Sequence, residues 1–178
     1  MKTLTVTALL CAVMALTTAA ALSEVTEEPD ALEKPGEGEH QVVERSTYCP
    51  GRWRLINGRC FLYVPRVRNW AQAERNCQSM GANLASVHRA DEYHGIQRMI
   101  QDITHRHPRT WIGGSDSAVE GVWLWSDGTP FRFSYWCGGG PDNWRGEQHC
   151  LEINYGGGKC WDDLTCYAQL GSVCAKNI

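Results

Sequence analysis

Eight cysteines fall between residues 49 and 174: Cys49, Cys60, Cys77, Cys137, Cys150, Cys160, Cys166 and Cys174. A ninth, Cys11, lies in an apolar N-terminal stretch. Met1 and Lys2 precede a greasy run, Leu4 to Leu16, and then the small residues Thr17 to Ala21. That order reads as a secretory signal peptide, residues 1–21, which would take Cys11 away with it. The run is shorter than the roughly 20 residues that a membrane-spanning helix needs, so no membrane insertion is expected. The reading makes the protein secreted and extracellular. An even number of cysteines in an oxidising compartment then implies four disulfides, although eight cysteines allow on the order of a hundred pairings and counting cannot choose among them. Zinc is the competing use of cysteine, but no Cys-x-x-Cys spacing occurs.

Residues 22–45 are compositionally different. Eight acids face only Lys34 and Arg45, and two prolines and two glycines interrupt the stretch, which therefore reads as an acidic pro-segment or linker. From Ser46 onward fourteen Lys and Arg stand against twelve Asp and Glu, scattered without a basic helix or stripe, so nucleic acid is not an expected partner. Residues 46–178 are long enough for one domain.

Hydrophobic spacing predicts an α+β fold. Asn69 can cap a helix carrying Trp70, Ala73, Cys77 and Met80, with Gly81 placed to end it. A second helix is expected to begin at Asp91 and Glu92 and to bury Tyr93, Ile96, Ile100 and Ile103. Thr110–Ile112, Gly121–Trp125, Leu151–Tyr155 and Ser172–Lys176 read as strands. Gly113–Glu120 and most of Ser126–His149 contain too much Gly, Pro and Asp for regular structure, and loops of such length inside a domain are usually functional.

Enzymatic signatures are missing. None of the six histidines forms a His-Glu-x-x-His site, Gly138-Gly139-Gly140 is not followed by Gly-Lys-Ser or Gly-Lys-Thr, and no Gly-x-Ser-x-Gly turn occurs. A binding protein is the expected class. By contrast, Asp142, Asn143, Glu147, Gln148, Asp162 and Asp163 offer oxygen donors from two segments, the chemistry of a Ca²⁺ site, which takes about six to eight oxygens.

Several motifs together carry a resemblance: Phe61-Leu62-Tyr63, Trp70 to Cys77, Gly81 to Ser86, Trp111-Ile112-Gly113-Gly114, Trp123 to Gly128, Cys150-Leu151-Glu152-Ile153 and Cys160-Trp161-Asp162-Asp163. In order and spacing they resemble the C-type lectin domain, and within it the small secreted fish lectins and type II antifreeze proteins. The resemblance implies two helices with antiparallel sheets, a long loop region, and the pairs Cys49–Cys60, Cys77–Cys174, Cys137–Cys160 and Cys150–Cys166. It also implies calcium held by Asp142, Gln148, Asp162 and Asp163, with Glu147 as a substitute for Gln148, and a sugar bound at Asp142, Trp144, Gln148 and Asp162. Pro141 is implied to follow a cis bond.

Galactose-preferring members carry Gln-Pro-Asp where this chain has Gly140-Pro141-Asp142, and a tryptophan two residues after the acid, here Trp144. The preferred partner is therefore a glycan ending in galactose, whose apolar C–H face an exposed indole can cover. Trp111, Trp123, Trp125 and Trp161 are expected in the core. Three departures bear on the metal: Gly140 offers no side-chain oxygen, Gln148 stands where Glu is usual, and Asp162 where Asn is usual. They imply weak or lost calcium binding. Ice binding is the alternative activity within the resemblance, although the further disulfide usual in antifreeze proteins is absent, Ser117 and His149 occupying the matching positions. A calcium-independent protein-binding module is a third reading. Single sugar sites bind weakly, so several copies, a homo-oligomer, are expected.

Overall fold

The computed structural model describes residues 48–178. The expected signal peptide, 1–21, and acidic segment, 22–45, lie outside the described residues. Two helices and eight strands follow one another as β1 (Arg54–Ile56), β2 (Arg59–Arg68), α1 (Trp70–Gln78), β3 (Asn83–Leu84), α2 (Ala90–Thr104), β4 (Thr110–Ser115), β5 (Leu124–Trp125), β6 (Cys150–Tyr155), β7 (Cys160–Leu164) and β8 (Leu170–Asn177). The sheet runs β1-β2-β8-β4-β6-β7, with β3 added at β8 and β5 at β4. Every pairing is antiparallel except β4 with β8. The α+β class is as expected.

Strand alternation places a helix on each face. On β4, Trp111 packs with α1 residues Ala73 and Cys77, whereas its neighbour Ile112 packs with α2 residues Tyr93, Ile96 and Ile100. On β8, Cys174 faces the α1 side, while Val173 and Ala175 face the α2 side. Successive side chains of a strand point to opposite faces, so these two strands divide the core into two apolar layers.

Asn69 caps α1 as the sequence predicts: its side chain accepts the Gln72 N–H at 2.8 Å, and the Gln72 side chain accepts the Asn69 N–H, closing a capping box. At the other end Gly81, at φ +66°, donates to the Gln78 carbonyl while Ala82 donates to that of Cys77, the paired bonds of a Schellman ending. Buried Glu74 ties α1 to its surroundings, one carboxylate oxygen accepting from Asn83 Nδ2 and the other from the Leu84 N–H at 2.7 Å and Ser126 Oγ at 2.9 Å. The second helix starts one residue before the expected acids.

Three expectations are corrected. Ile103 is 48% exposed, because the apolar stripe of α2 is completed by Met99 and the last turn before Thr104 contributes nothing to the buried set. The expected strand Gly121–Trp125 shrinks to Leu124–Trp125: Gly121 takes φ +75° and the Val122 N–H bonds the Val119 carbonyl in a turn. Conversely Gly113 and Gly114, expected in an irregular stretch, continue β4. A Cβ on Gly113 would lie 2.7 Å from the Leu84 carbonyl oxygen and one on Gly114 2.6 Å from Leu151 Cδ1, so these glycines serve close approach to strands β3 and β6 rather than a turn. The first three strands and β7 carry no alternation strong enough to have been expected.

All four implied disulfides are formed: Cys49–Cys60, Cys77–Cys174, Cys137–Cys160 and Cys150–Cys166. The second closes a sequence separation of 97 residues, joining α1 to β8, for which a chain-entropy estimate is about 4.7 kcal/mol. Trp111, Trp125 and Trp161 are buried and Trp123 packs half-buried against the same core. No helix among the described residues is long and apolar enough to cross a membrane.

The close approach at Gly113 has a measurable consequence. The obstructing atom is a backbone oxygen that cannot rotate away, so Gly113→Ala is expected to cost about 1–3 kcal/mol of stability in urea unfolding. An unchanged midpoint would mean that β3 and β4 are not packed this closely.

Candidate functional site

The site is built on β7. Trp161 fixes this strand by its ring, which meets Tyr93, Trp125, Phe131, Phe133 and Trp136 edge to face with centroids 5.6–6.1 Å apart. Its backbone receives the long loop as well: the Cys137 N–H donates to the Trp161 carbonyl at 2.9 Å, and the Trp161 N–H to the Tyr135 carbonyl at 2.8 Å. Cys160 carries the bond to Cys137, and β7 pairs with β6, so that Asp162 lies opposite Glu152 and Asp163 opposite Leu151.

Asp163 is 1% exposed, yet its carboxylate is satisfied by the loop itself. Oδ1 accepts the Asp142 N–H at 3.0 Å and Oδ2 the Asn143 N–H at 2.7 Å. Gly140 precedes the cis bond to Pro141, in agreement with the expectation, and its N–H bonds the Cys137 carbonyl at 3.0 Å. An added Cβ on Gly140 would come 3.4 Å from Asp162 Oδ1, which puts the β7 acids directly beside this turn.

Beyond Asn143 the backbone turns sharply, with Asn143 at φ +41° and Arg145 at φ +63° around a single 3₁₀ turn, Trp144–Gly146. Side chains of the loop hold that turn. The Trp144 N–H is shared between Asp142 Oδ1 at 3.1 Å and Gln148 Oε1 at 2.7 Å, and the Gln148 N–H donates to Asn143 Oδ1 at 3.0 Å. Gln148 is thus an integral part of the loop, whereas Glu147 is exposed. Trp144 is 58% exposed; the Arg145 guanidinium sits 4.0 Å from its ring centroid, covering one face, and most of the indole stays open to solvent.

Asp142, Asp162 and Asp163 therefore lie near enough to act on one another electrostatically, with Gln148 tied to the same turn, but among the described residues only Asp116, Glu120 and His149 bring three ligand atoms within 4.8 Å of one another. The electrostatics are those of crowded carboxylates. Burial, then Asp163 and Asp142 nearby, push the Asp162 carboxyl up to about 6. Across the ladder, burial pushes Glu152 up to about 7, although Arg109 grips it with a two-pronged ion pair that pulls it back. Such a group of oxygen donors is suited by type to a hard divalent ion. Gly140 leaves a gap in the donor set, and the Gln148 oxygen is engaged with a backbone N–H.

One further group escaped the sequence reading. Asp116, Glu120 and His149 bring their side chains together beside the loop, and Asn143 Nδ2 donates to Glu120 Oε2 at 2.6 Å. Only His149 had been singled out, as a position facing Ser117; the Ser117 hydroxyl does lie 3.5 Å from the His149 carbonyl. Asp116 and Glu120 sit in a stretch whose acids look like ordinary turn residues.

The raised Asp162 value carries a sign. An acid whose folded pKa lies above its unfolded value of 3.8 adds stability below that value and loses it as pH rises through about 6. In chelator, Asp162→Asn is therefore expected to raise the melting temperature at pH 7 relative to its effect near about pH 2.5, below both values, where the charge contributes nothing. With the shift discounted for solvent exposure, the gain is on the order of 1 kcal/mol, a few degrees. A loss of stability at pH 7 would contradict the crowding.

Comparison with known proteins agrees with this architecture. The family described as "Lectin C-type domain" matches residues 66–176. Ladderlectin from Oncorhynchus mykiss is 38% identical over all of this chain and 96% of its own length. The galactose-specific lectin nattectin from Thalassophryne nattereri is 38% identical over 77% of this chain and 86% of its own. Among solved structures, herring type II antifreeze protein superposes with a TM-score of 0.69 at 38% identity, covering 73% of this chain and 99% of that one. These are families of binding proteins rather than enzymes. With most of its described length matched, its four disulfides paired and its loop pinned to β7, the chain belongs to the C-type lectin domain family.

Proposed function

We propose that the protein is a secreted, calcium-dependent lectin that prefers glycans ending in galactose. The observation that carries the reading is the exposed Trp144 indole beside the neighbouring acids Asp142, Asp162 and Asp163, in a loop pinned by the buried Asp163 carboxylate. The donors fit calcium in kind. Asp142, Asp162, Asp163 and Gln148 would hold it, and the ion would supply a Lewis-acidic centre accepting two vicinal sugar hydroxyls. The gap at Gly140 leaves more of the coordination to water and lowers the expected affinity.

The remaining work belongs to the chain's own residues. Asp142 and Asp162 present carboxylate oxygens that accept from sugar hydroxyls, and the open part of the Trp144 ring covers the apolar C–H face of galactose. Arg145 on one face of the indole restricts its orientation, which lowers the entropy lost on binding. Nattectin, described as galactose-specific, is a relative in which such a preference is named. One shallow site binds a monosaccharide weakly, so several copies acting together are part of the proposal.

Ice binding is the second reading, favoured by the likeness to herring type II antifreeze protein. The acids do not separate the two readings, since one similar type II antifreeze protein is described as Ca²⁺-dependent; the exposed Trp144 indole is what favours a sugar, whose C–H face it can cover.

Melting temperature in calcium and in chelator, each with and without lactose, tests the main reading. A stabilisation by lactose that requires calcium is expected, about 2.7 kcal/mol at a hundred times the dissociation constant. Trp144→Ala is expected to abolish it with little change in the sugar-free melt, the side chain being mostly exposed. Identical melts under all four conditions would overturn the reading. Thermal hysteresis at the level of solute alone is expected; burst ice growth with a clear hysteresis gap would favour the antifreeze reading instead.

A further inference from the structure

At the hairpin end of β6, away from Cys150, helix α2 and the turn between β6 and β7 form an open depression of about 400 Å³ lined by His94, Gln97, Arg98, Gln101, His107 and Lys159. Two of these side chains are cations, two are imidazoles and two are amides; none is acidic. His94, Gln97, Arg98 and Gln101 share one face of α2 by their three- and four-residue spacing. Lys159 reaches the same place from the turn, and His107 from the segment that follows the helix.

The three segments are held together through their backbones. His94 Nδ1 donates to Gln97 Oε1 at 3.0 Å, and Gln97 Nε2 donates to the Lys159 carbonyl at 2.9 Å, an oxygen that also accepts from the Tyr93 hydroxyl. These bonds hold Lys159 in the left-handed region at φ +51°. Asn154 Nδ2 donates to the Pro108 carbonyl at 3.0 Å, which fixes the residue after His107. The charged ends, by contrast, are unspent. Among the described residues the side chains of Arg98, Gln101 and Lys159 have no hydrogen-bond or ion-pair partner, and His107 Nδ1 is buried without one. Asp102, one turn beyond Arg98, is engaged with Arg54 at 2.6 Å. Burial, then the Lys159 ammonium nearby, push the His107 imidazole below its ordinary value, the mark of basic groups gathered without an acid between them.

We propose that this depression binds a tetrahedral oxyanion, the sulfate or phosphate ester of an acidic glycan. The donor set gives the class. The Arg98 guanidinium offers a planar fork that grips two oxygens of such a group, the Lys159 ammonium supplies a point charge from the opposite wall, and the Gln101 amide adds a neutral donor. Donors arriving from separate elements suit an anion with three free oxygens better than a flat carboxylate with two. His94, Arg98, Gln101 and Lys159 are all exposed, so the depression leaves room for the molecule that carries the ester, whereas a free ion is better matched by an enclosed cavity. No metal takes part, and none of Asp142, Trp144 and Asp162 contributes, so this site does not rest on the galactose reading.

Calorimetric titration of the full chain, in chelator and low salt, with a sulfated heparin tetrasaccharide tests this; its desulfated counterpart, which keeps the carboxylates, and sodium sulfate and sodium phosphate are the comparison arms. Saturable binding of the sulfated tetrasaccharide is expected, with all three comparison ligands markedly weaker. Arg98→Gln and Lys159→Asn are each expected to weaken it about fivefold, the worth of one exposed ion pair. Asparagine is chosen at position 159 because it tolerates a positive φ. Gln101→Glu, which sets an acid among the cations, is expected to abolish binding. All three residues are exposed, and melting establishes that each variant is folded. Calcium-dependent stabilisation by lactose is expected to be the same in these variants as in the unmodified chain. Tetrasaccharide affinity equal in the unmodified chain and in the Arg98→Gln, Lys159→Asn double variant would overturn the assignment. So would a desulfated tetrasaccharide or a free ion that binds as tightly as the sulfated one.

Discussion

The buried carboxylate of Asp163 is the point on which the binding face depends. A loop without regular structure must still satisfy its backbone, and it keeps one shape only if its polar groups find fixed partners. Asp163 supplies two such bonds, to the N–H groups of Asp142 and Asn143, from a strand whose own position is set by ladder pairing. Removing that carboxylate would leave two loop donors orphaned and the cis turn at Pro141 unsupported. The same residue also adds the negative charge that crowds Asp162. Structural pinning and the proposed affinity for a cation are thus two consequences of one side chain.

Behind Asp163 stands Trp161, two residues earlier on β7 and on the core side of the strand. Its ring is the centre of an aromatic cluster gathered from α2, β5 and the otherwise irregular stretch from Phe131 to Trp136. The loop therefore has an apolar root as well as a polar anchor. Disulfides finish the arrangement: Cys137–Cys160 closes the loop's entry onto β7, and Cys150–Cys166 closes its exit. With its ends fixed covalently and its middle held by Asp163, the tip around Trp144 can expose a large aromatic ring without the loop collapsing over it.

The degree to which this was legible in the chain follows from where the information resides. Helix α1 was readable to its caps, because Asn69 and Gly81 act through local backbone geometry. The cysteine pairing became readable only through the resemblance, since pairing is a tertiary property that counting leaves open. Strands β2 and β7 were not expected, because β2 is long and arginine-rich and β7 is short, with the acid Asp163 buried and the acid Asp162 half-buried in its middle, a pattern that looks like loop. Gly113 and Gly114 point in the opposite direction: glycine marks both turns and tight contacts between strands, and only the neighbouring Leu84 and Leu151 decide between them. The acids of the proposed calcium centre were named in advance, but the Asp116–Glu120–His149 group was not, because its members come from segments about thirty residues apart with no motif joining them.

The oxygen donors around Asp142 and Asp162, beside the Trp144 indole, carry the central claim about the binding face. Backbone amide shifts followed by NMR during calcium addition, and then lactose addition, test it most directly. The account predicts that calcium moves the amides of Asp142, Asn143, Gln148, Asp162 and Asp163, and that lactose then moves the Trp144 indole N–H. Shifts confined to other surfaces, or no response of this loop to calcium, would contradict it.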